Sequence, residues 1–355
     1  MSAVNDAPDQ PSPPQVRDAT VLDEQKATRS LRHGLISLAI LVALVVGLLL
    51  AVPGLHGVAS EVTHMPAGLL ALAVFLEVLS CASYILAFLQ VFDRAPIRFG
   101  ARVALSELAF GSAVSLGGAG SIAVGAWLLI ERGGNPGRVA ERSAVLFLLT
   151  SAVNLITLAA AGLGTWVGIL PGSHHLLLTL LPGAVGVIVF LAFLALPPLC
   201  DRLLRGRAEG KVVTALRGTS VTVRHTARTL FSADWRLIGA YGYLWFDIAT
   251  LVVCFWAIGK VPPLSTIVLA YQIGYLSNLI PIPGGIGVLD GSFVGMFVLF
   301  GVSATTATAA TLVYHAISLW VPAMWGTTAY LVLRRTRNKP LVLRPPREGR
   351  DGLNP

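Results

Sequence analysis

Charge is what this sequence has least of. Only 12% of its 355 residues are Asp, Glu, Lys or Arg, while 55% are hydrophobic, and a soluble domain carries roughly twice that charged fraction. A water-solvated surface over the whole molecule is therefore excluded. Cysteine is also scarce: Cys81, Cys200 and Cys254 lie in or at the ends of apolar segments without C-x-x-C spacing, which excludes a disulfide framework and leaves packing as their expected role. No H-E-x-x-H or D-x-D stands in the chain, and its glycine clusters are not followed by G-K-[ST], so nothing points to a zinc hydrolase, a phosphate loop or any cofactor. The formal charge of +8 does not point to nucleic acid. Its cations cluster beside apolar segments, as topology signals and anionic-headgroup contacts do.

What the chain has in quantity is long apolar runs of about 20 residues, the length that spans ~30 Å of hydrocarbon. The expected fold is an all-α polytopic membrane protein, with six full crossings at about 35–57, 66–92, 143–170, 175–200, 237–259 and 304–333. Residues 1–30, Pro-rich and of mixed charge, read as a disordered tail, residues 31–335 as a single membrane domain, and 336–355 as a basic tail. Two further apolar segments, 103–130 with GGAG and 264–301 with PIPGG, are interrupted. Glycine costs about 1 kcal/mol and proline about 3 in a helix interior, so each is read as a broken, re-entrant hairpin whose break faces protein or a cavity.

Loop charges give the orientation. The 201–236 loop has eight Lys or Arg against three acids, and the C-terminal tail is also basic, so both are expected inside. Lys26, Arg29 and Arg32, then Arg94, Arg98 and Arg102, and then Arg132, Arg138 and Arg142 are also expected inside. The 56–65, 171–175 and 301–304 turns have neither Lys nor Arg and are expected outside. These assignments agree only if each broken segment returns to the face it entered from. The first hairpin then opens from the cytoplasm, the second from the exterior, and both termini are cytoplasmic.

A shift of 167 residues lays Gly117, Gly118 and Gly120 on Gly284, Gly285 and Gly287, and Gly134 on Gly301. With the opposite orientations of the two hairpins, this predicts an inverted repeat with halves at 66–170 and 237–333, joined by 175–200 and the basic loop. Such repeats place a substrate site near mid-bilayer at their interface. Four acids, Glu77, Glu107, Asp247 and Asp290, lie in the apolar segments, and an acid at mid-bilayer costs roughly 2.5–3.5 kcal/mol. Glu77 and Asp247 are read either as inter-helix hydrogen-bonding acids or as site residues. Glu107 is read as interfacial beside Arg102, and Asp290 as a cap of the second half-helix or a ligand. Asn154, Tyr314 and His315 are read as helix-packing polar groups, and the adjacent His174 and His175 as solvent-exposed rather than metal ligands.

NLIPIPGGIGVLDGSF (278–293), TLVYHAISLWVPAMWGTTAYLVL (311–333) and the weaker GSAVSLGGAGSIAVGAW (111–127) resemble the lysylphosphatidylglycerol synthase transmembrane-domain family of flippase-like integral membrane proteins. The resemblance covers about 35–335. It departs at Asp290, where the family usually has glutamate, and only about twenty polar residues follow Leu333, so it implies translocation without the soluble synthetase domain. The expected function is non-enzymatic movement of an anionic or aminoacylated phospholipid, or a lipid-linked headgroup, across the cell membrane. Asp290, Asp247 and Glu77 would meet a cationic group or titrate; Asn278, Pro281, Pro283, Gly284, Gly285 and Gly287, with Gly117, Gly118 and Gly120, would shape the breaks; Arg102 and Arg132 would hold phosphate. A small-solute secondary transporter and a non-transporting scaffold stay open as alternatives, as does a homo-oligomer.

Overall fold

The computed structural model describes residues 56–113, 119–172, 174–205, 210–232, 235, 237–275 and 286–336, and among these every regular element is helical. The helices are α1 His56–Thr63, α2 Ala67–Val91, α3 Ile97–Ala113, α4 Ala119–Glu131, α5 Pro136–Trp166, α6 Leu181–Leu203 (entered through a π-helical turn, Leu176–Leu180), α7 Lys211–Leu230, α8 Leu237–Ile258, α9 Leu264–Tyr275, α10 Ile286–Leu299 and α11 Ala304–Arg335. The first expected crossing, 35–57, lies outside the described residues apart from its last two, as do the N-terminal tail and 337–355.

Among the described residues, five helices are long and apolar enough to cross a membrane: α2, α5, α6 with its π turn, α8 and α11. They answer to the other five expected crossings. One boundary needs correction. α5 begins at Pro136 rather than near 143, because Asn135 caps it, its side chain accepting from Arg138 N, and Pro136 stands in its first turn. Arg138, Glu141 and Arg142 are therefore helical, and Arg142 reaches back to Asp93 Oδ1 at 3.0 Å, just beyond the end of α2.

Each interrupted segment is two short helices. α3 and α4 have 17 and 13 residues, and α9 and α10 have 12 and 14. At 1.5 Å per residue their described parts are each about 18–26 Å long. α3 packs on α4 and α9 on α10.

The helix packing rests on small residues, as it must where lipid gives no hydrophobic drive to association. α2 and α8 make the most extensive pairing and α3 with α11 the next. A Cβ on Gly239 of α8 would lie 2.6 Å from Ala87 N and 2.7 Å from Ser83 O of α2, and one on Gly326 of α11 would lie 2.0 Å from Leu105 O of α3.

The helix ends at Gly133, Gly168, Gly259 and Gly301 share one left-handed turn, and those at Gly133 and Gly301 also share the cap that follows. After α4, Gly133 (φ 88°) donates to Ile130 O at 2.9 Å and Gly134 to Leu129 O at 3.0 Å; after α10, Gly301 (φ 87°) donates to Val298 O at 2.9 Å and Val302 to Phe297 O at 3.0 Å. Asn135 caps α5 through Arg138 N, and Ser303 caps α11 through Thr306 N. The sequence alignment that set Gly134 on Gly301 is thus corrected by one position. The left-handed residue ending the helix is Gly133, and that conformation is what glycine supplies.

Gly326→Leu is expected to lower stability by about 1–3 kcal/mol through overpacking, read as a lower unfolding midpoint in detergent. Gly218→Ala in α7, where an added Cβ meets nothing within 4 Å, is expected to be neutral or stabilising by up to about 1 kcal/mol.

Candidate functional site

Glu77 is the eleventh residue of α2 and Asp247 the eleventh of α8. Each therefore stands about 15 Å along its helix, half the thickness of the hydrocarbon. Glu77 is 5% exposed. The two carboxyl groups lie close enough to act on each other electrostatically.

Other helices complete the centre. Tyr314 of α11 donates its hydroxyl to the Asp247 carboxyl, 3.0 Å from Oδ1 and 2.9 Å from Oδ2, and Tyr271 of α9 donates to Oδ2. Phe293 of α10 meets Tyr271 edge-on at 5.6 Å and His315 edge-on at 5.3 Å between centroids. His315 lies close enough to act electrostatically on Asp247, and Tyr275 stacks on Tyr271 at 5.4 Å. Five helices thus meet around one pair of acids. Among the described residues, Glu77 Oε2, Gln272 Nε2 and Thr311 Oγ1 are buried without a hydrogen-bond partner. A buried polar group left unpaired costs about 1–3 kcal/mol, and all three stand on helices of this centre.

Glu107 is not interfacial, as its spacing from Arg102 suggested. It is 2% exposed and accepts from Tyr84 OH at 2.8 Å. It fits because α4 offers Gly125 opposite, where a Cβ would lie 1.6 Å from Glu107 Oε1. The Tyr84 ring lies 5.0 Å from that of Tyr243, one turn before Asp247 on α8, so the two acid clusters lie along one seam. Tyr314 agrees with its reading as a polar group bonding a neighbouring helix, its hydroxyl being held by Asp247 of α8. Asn154 instead bonds within its own helix, Nδ2 to Thr150 O at 2.9 Å, and His174 and His175 are exposed.

The remaining expected site residues fall as follows. Gly117, Gly118, Asn278, Pro281, Pro283, Gly284 and Gly285 lie outside the described residues; Gly120 lies on α4, and Gly287 and Asp290 on α10. α10 starts at Ile286, so Asp290 is its fifth residue and not the residue preceding the helix that an N-cap requires. Arg132 ends near the close of α11, donating Nη2 to Leu333 O at 3.1 Å with its guanidinium 5.5 Å over the Phe99 ring. There it lines a small cleft with Trp127, Glu131, Tyr330 and Arg334. Arg102, half-buried on α3, is not in that lining. No group of three His, Cys, Asp or Glu suited to a metal occurs among the described residues.

Residues 34–326 match the family model of the lysylphosphatidylglycerol synthase TM region. The chain belongs to this family. A UPF0104 membrane protein of Methanothermobacter thermautotrophicus is 37% identical over 84 residues, an alignment spanning 23% of this chain and 24% of that protein. The tyrosine-caged acid pair thus sits inside the matched region of a lysylphosphatidylglycerol synthase TM-region protein, between α2 and α8.

Tyr314→Phe and Tyr271→Phe are each expected to destabilise the protein by about 1–3 kcal/mol, the range for losing a hydrogen bond to a buried acid. Combined with Asp247→Asn they should be strongly non-additive. Unfolding midpoints of the single and double variants in detergent measure both effects.

Proposed function

We propose that this protein is a flippase-like lipid translocase of the cytoplasmic membrane, in which the Glu77–Asp247 centre is the midpoint of a polar path for a headgroup while the acyl chains stay in the bilayer. The observation that carries this reading is the acid pair at mid-helix, Glu77 buried and Asp247 half-buried, surrounded by tyrosines from α9 and α11 and by polar atoms without protein partners. Acids in this position mark substrate or ion pathways in membrane proteins, and a cationic headgroup group would supply the missing donors to Glu77.

In this reading α3–α4 and α9–α10 are the two re-entrant hairpins, the first open to the cytoplasm and the second to the exterior, in an inverted repeat with both termini inside. Two features support it: the matching turn and cap at Gly133–Asn135 and Gly301–Ser303, and the packing of the two helices of each interrupted segment on each other. The breaks, with Gly117 and Gly118 in the first and Asn278, Pro281, Pro283, Gly284 and Gly285 in the second, then serve the path through backbone amides, with Gly120 and Gly287 at the helix starts beside them, and Asp290 serves as a ligand one turn into α10. Arg132 serves phosphate at the cytoplasmic mouth, beside Arg334 rather than beside Arg102. The substrate is an anionic or aminoacylated phospholipid, no chemical conversion is involved, and two copies of the chain are compatible with the scheme.

The test is exchange of acyl-labelled fluorescent phosphatidylglycerol and its lysyl ester in reconstituted vesicles, read by the label open to an impermeant reductant. Exchange faster than in empty vesicles is expected for at least one lipid, falling at least about tenfold, the equivalent of 1.4 kcal/mol, in Asp247→Asn and Glu77→Gln. Rates equal to empty vesicles for both lipids, or folded variants as active as the parent, would overturn the reading.

A further inference from the structure

Helix α7 carries an apolar stripe that outruns the protein it packs on. Val212, Leu216, Ser220, Val223 and Leu230 recur at three-, four- and seven-residue spacing on one face of the helix. At the C-terminal half this face is buried against α5 and α6, with Val223 2% and Leu230 7% exposed. At the N-terminal half the same face is uncovered: Val212 is 71% and Leu216 40% exposed.

The neighbouring flank is basic. Arg217, Arg224 and Arg228 form a row along it, with Arg202 and Arg205 exposed just before the helix. Of this row Arg224 is held by Asp201 at 2.5 Å. Asp201 also fixes where α7 lies, since it stands at the last turn of α6 and its partner is past the middle of α7. The helix therefore crosses the end of α6 instead of continuing it.

The ends of the adjoining crossings mark a level. Leu199 and Leu203 at the close of α6, and Phe231, Trp235 and Ile238 at the entry to α8, are all exposed. An exposed tryptophan beside a crossing belongs at the headgroup zone. α7 is tied between these two crossings by the segments 204–210 and 231–236, so it is held on the face where both emerge, the face that the eight cations of 201–236 assign to the cytoplasm.

We propose that α7 is an interfacial helix seated on the anionic cytoplasmic leaflet, with Val212 and Leu216 in the acyl boundary and Arg217 and Arg228 against lipid phosphate. The occupant of the uncovered stripe is lipid because the uncovered face is narrow, continuous with one already buried at membrane level, and flanked by cations. This is the pattern by which amphipathic helices bind anionic bilayers. The inference is independent of whether the protein moves lipid.

An environment-sensitive fluorophore on Val212→Cys, Leu216→Cys or Thr214→Cys tests it in the full chain, in nanodiscs of phosphatidylcholine alone or mixed with phosphatidylglycerol. Cys81, Cys200 and Cys254 are buried. At 212 and 216 a blue shift and quenching by brominated acyl chains are expected, stronger with phosphatidylglycerol, and at 214, on the opposite face, a water-like emission. Arg217→Gln with Arg228→Gln should return the phosphatidylglycerol signal at 212 to its level in phosphatidylcholine. Water-like emission at all three sites would overturn the proposal. So would energy transfer between two labelled copies at 212, which would give the stripe to a second copy instead.

Discussion

An acid placed at the middle of a membrane must be neutralised, partnered or wetted, and in this protein two such acids have been placed face to face. Glu77 and Asp247 meet at equal depth on the helices that pair most extensively. The Asp247 oxygens require donors, since hydrocarbon offers none. Those donors arrive from elsewhere: Tyr271 on α9 and Tyr314 on α11. Holding two hydroxyls on one carboxyl fixes the approach of both helices to the α2–α8 pair.

Close approach is the second condition, and small residues meet it. Gly239 lets α8 sit against the backbone of α2 at Ser83 and Ala87, and Gly326 lets α11 sit against α3 at Leu105. Gly125 makes the space in which Glu107 can be buried with Tyr84 as its donor. At Glu107 a polar group inside the packing, a donor on another helix and a glycine opposite come together.

Much of this could be read from residue order. Five crossings, and the unusual placing of acids at 77 and 247 within them, follow from apolar length and the cost of a charge in hydrocarbon, both local properties. The partners were not local. Tyr271 and Tyr314 stand 24 and 67 residues from Asp247, and nothing in VLAYQIG or TLVYHAI distinguishes a donor from a packing aromatic. Glu107 looked interfacial because Arg102 is near in sequence, whereas its burial depends on Gly125 in a different helix. The start of α5 was misplaced because Arg138 and Arg142 resemble a loop by charge, while Asn135–Pro136 was a legible start signal. Of the opening glycine-proline motif, Gly287 and Asp290 are on α10, and 281–285 lie outside the described residues.

The account turns on the two halves being oppositely oriented, so that the α4–α5 turn and the α10–α11 turn, alike in hydrogen bonding, face opposite sides of the membrane. Single cysteines at Gly137 and Ala304, both beside those turns and both exposed, challenged in intact right-side-out membranes with an impermeant maleimide, decide it. Labelling at 304 before permeabilisation and at 137 only afterwards is the predicted result; labelling of both from the same side would contradict the inverted arrangement.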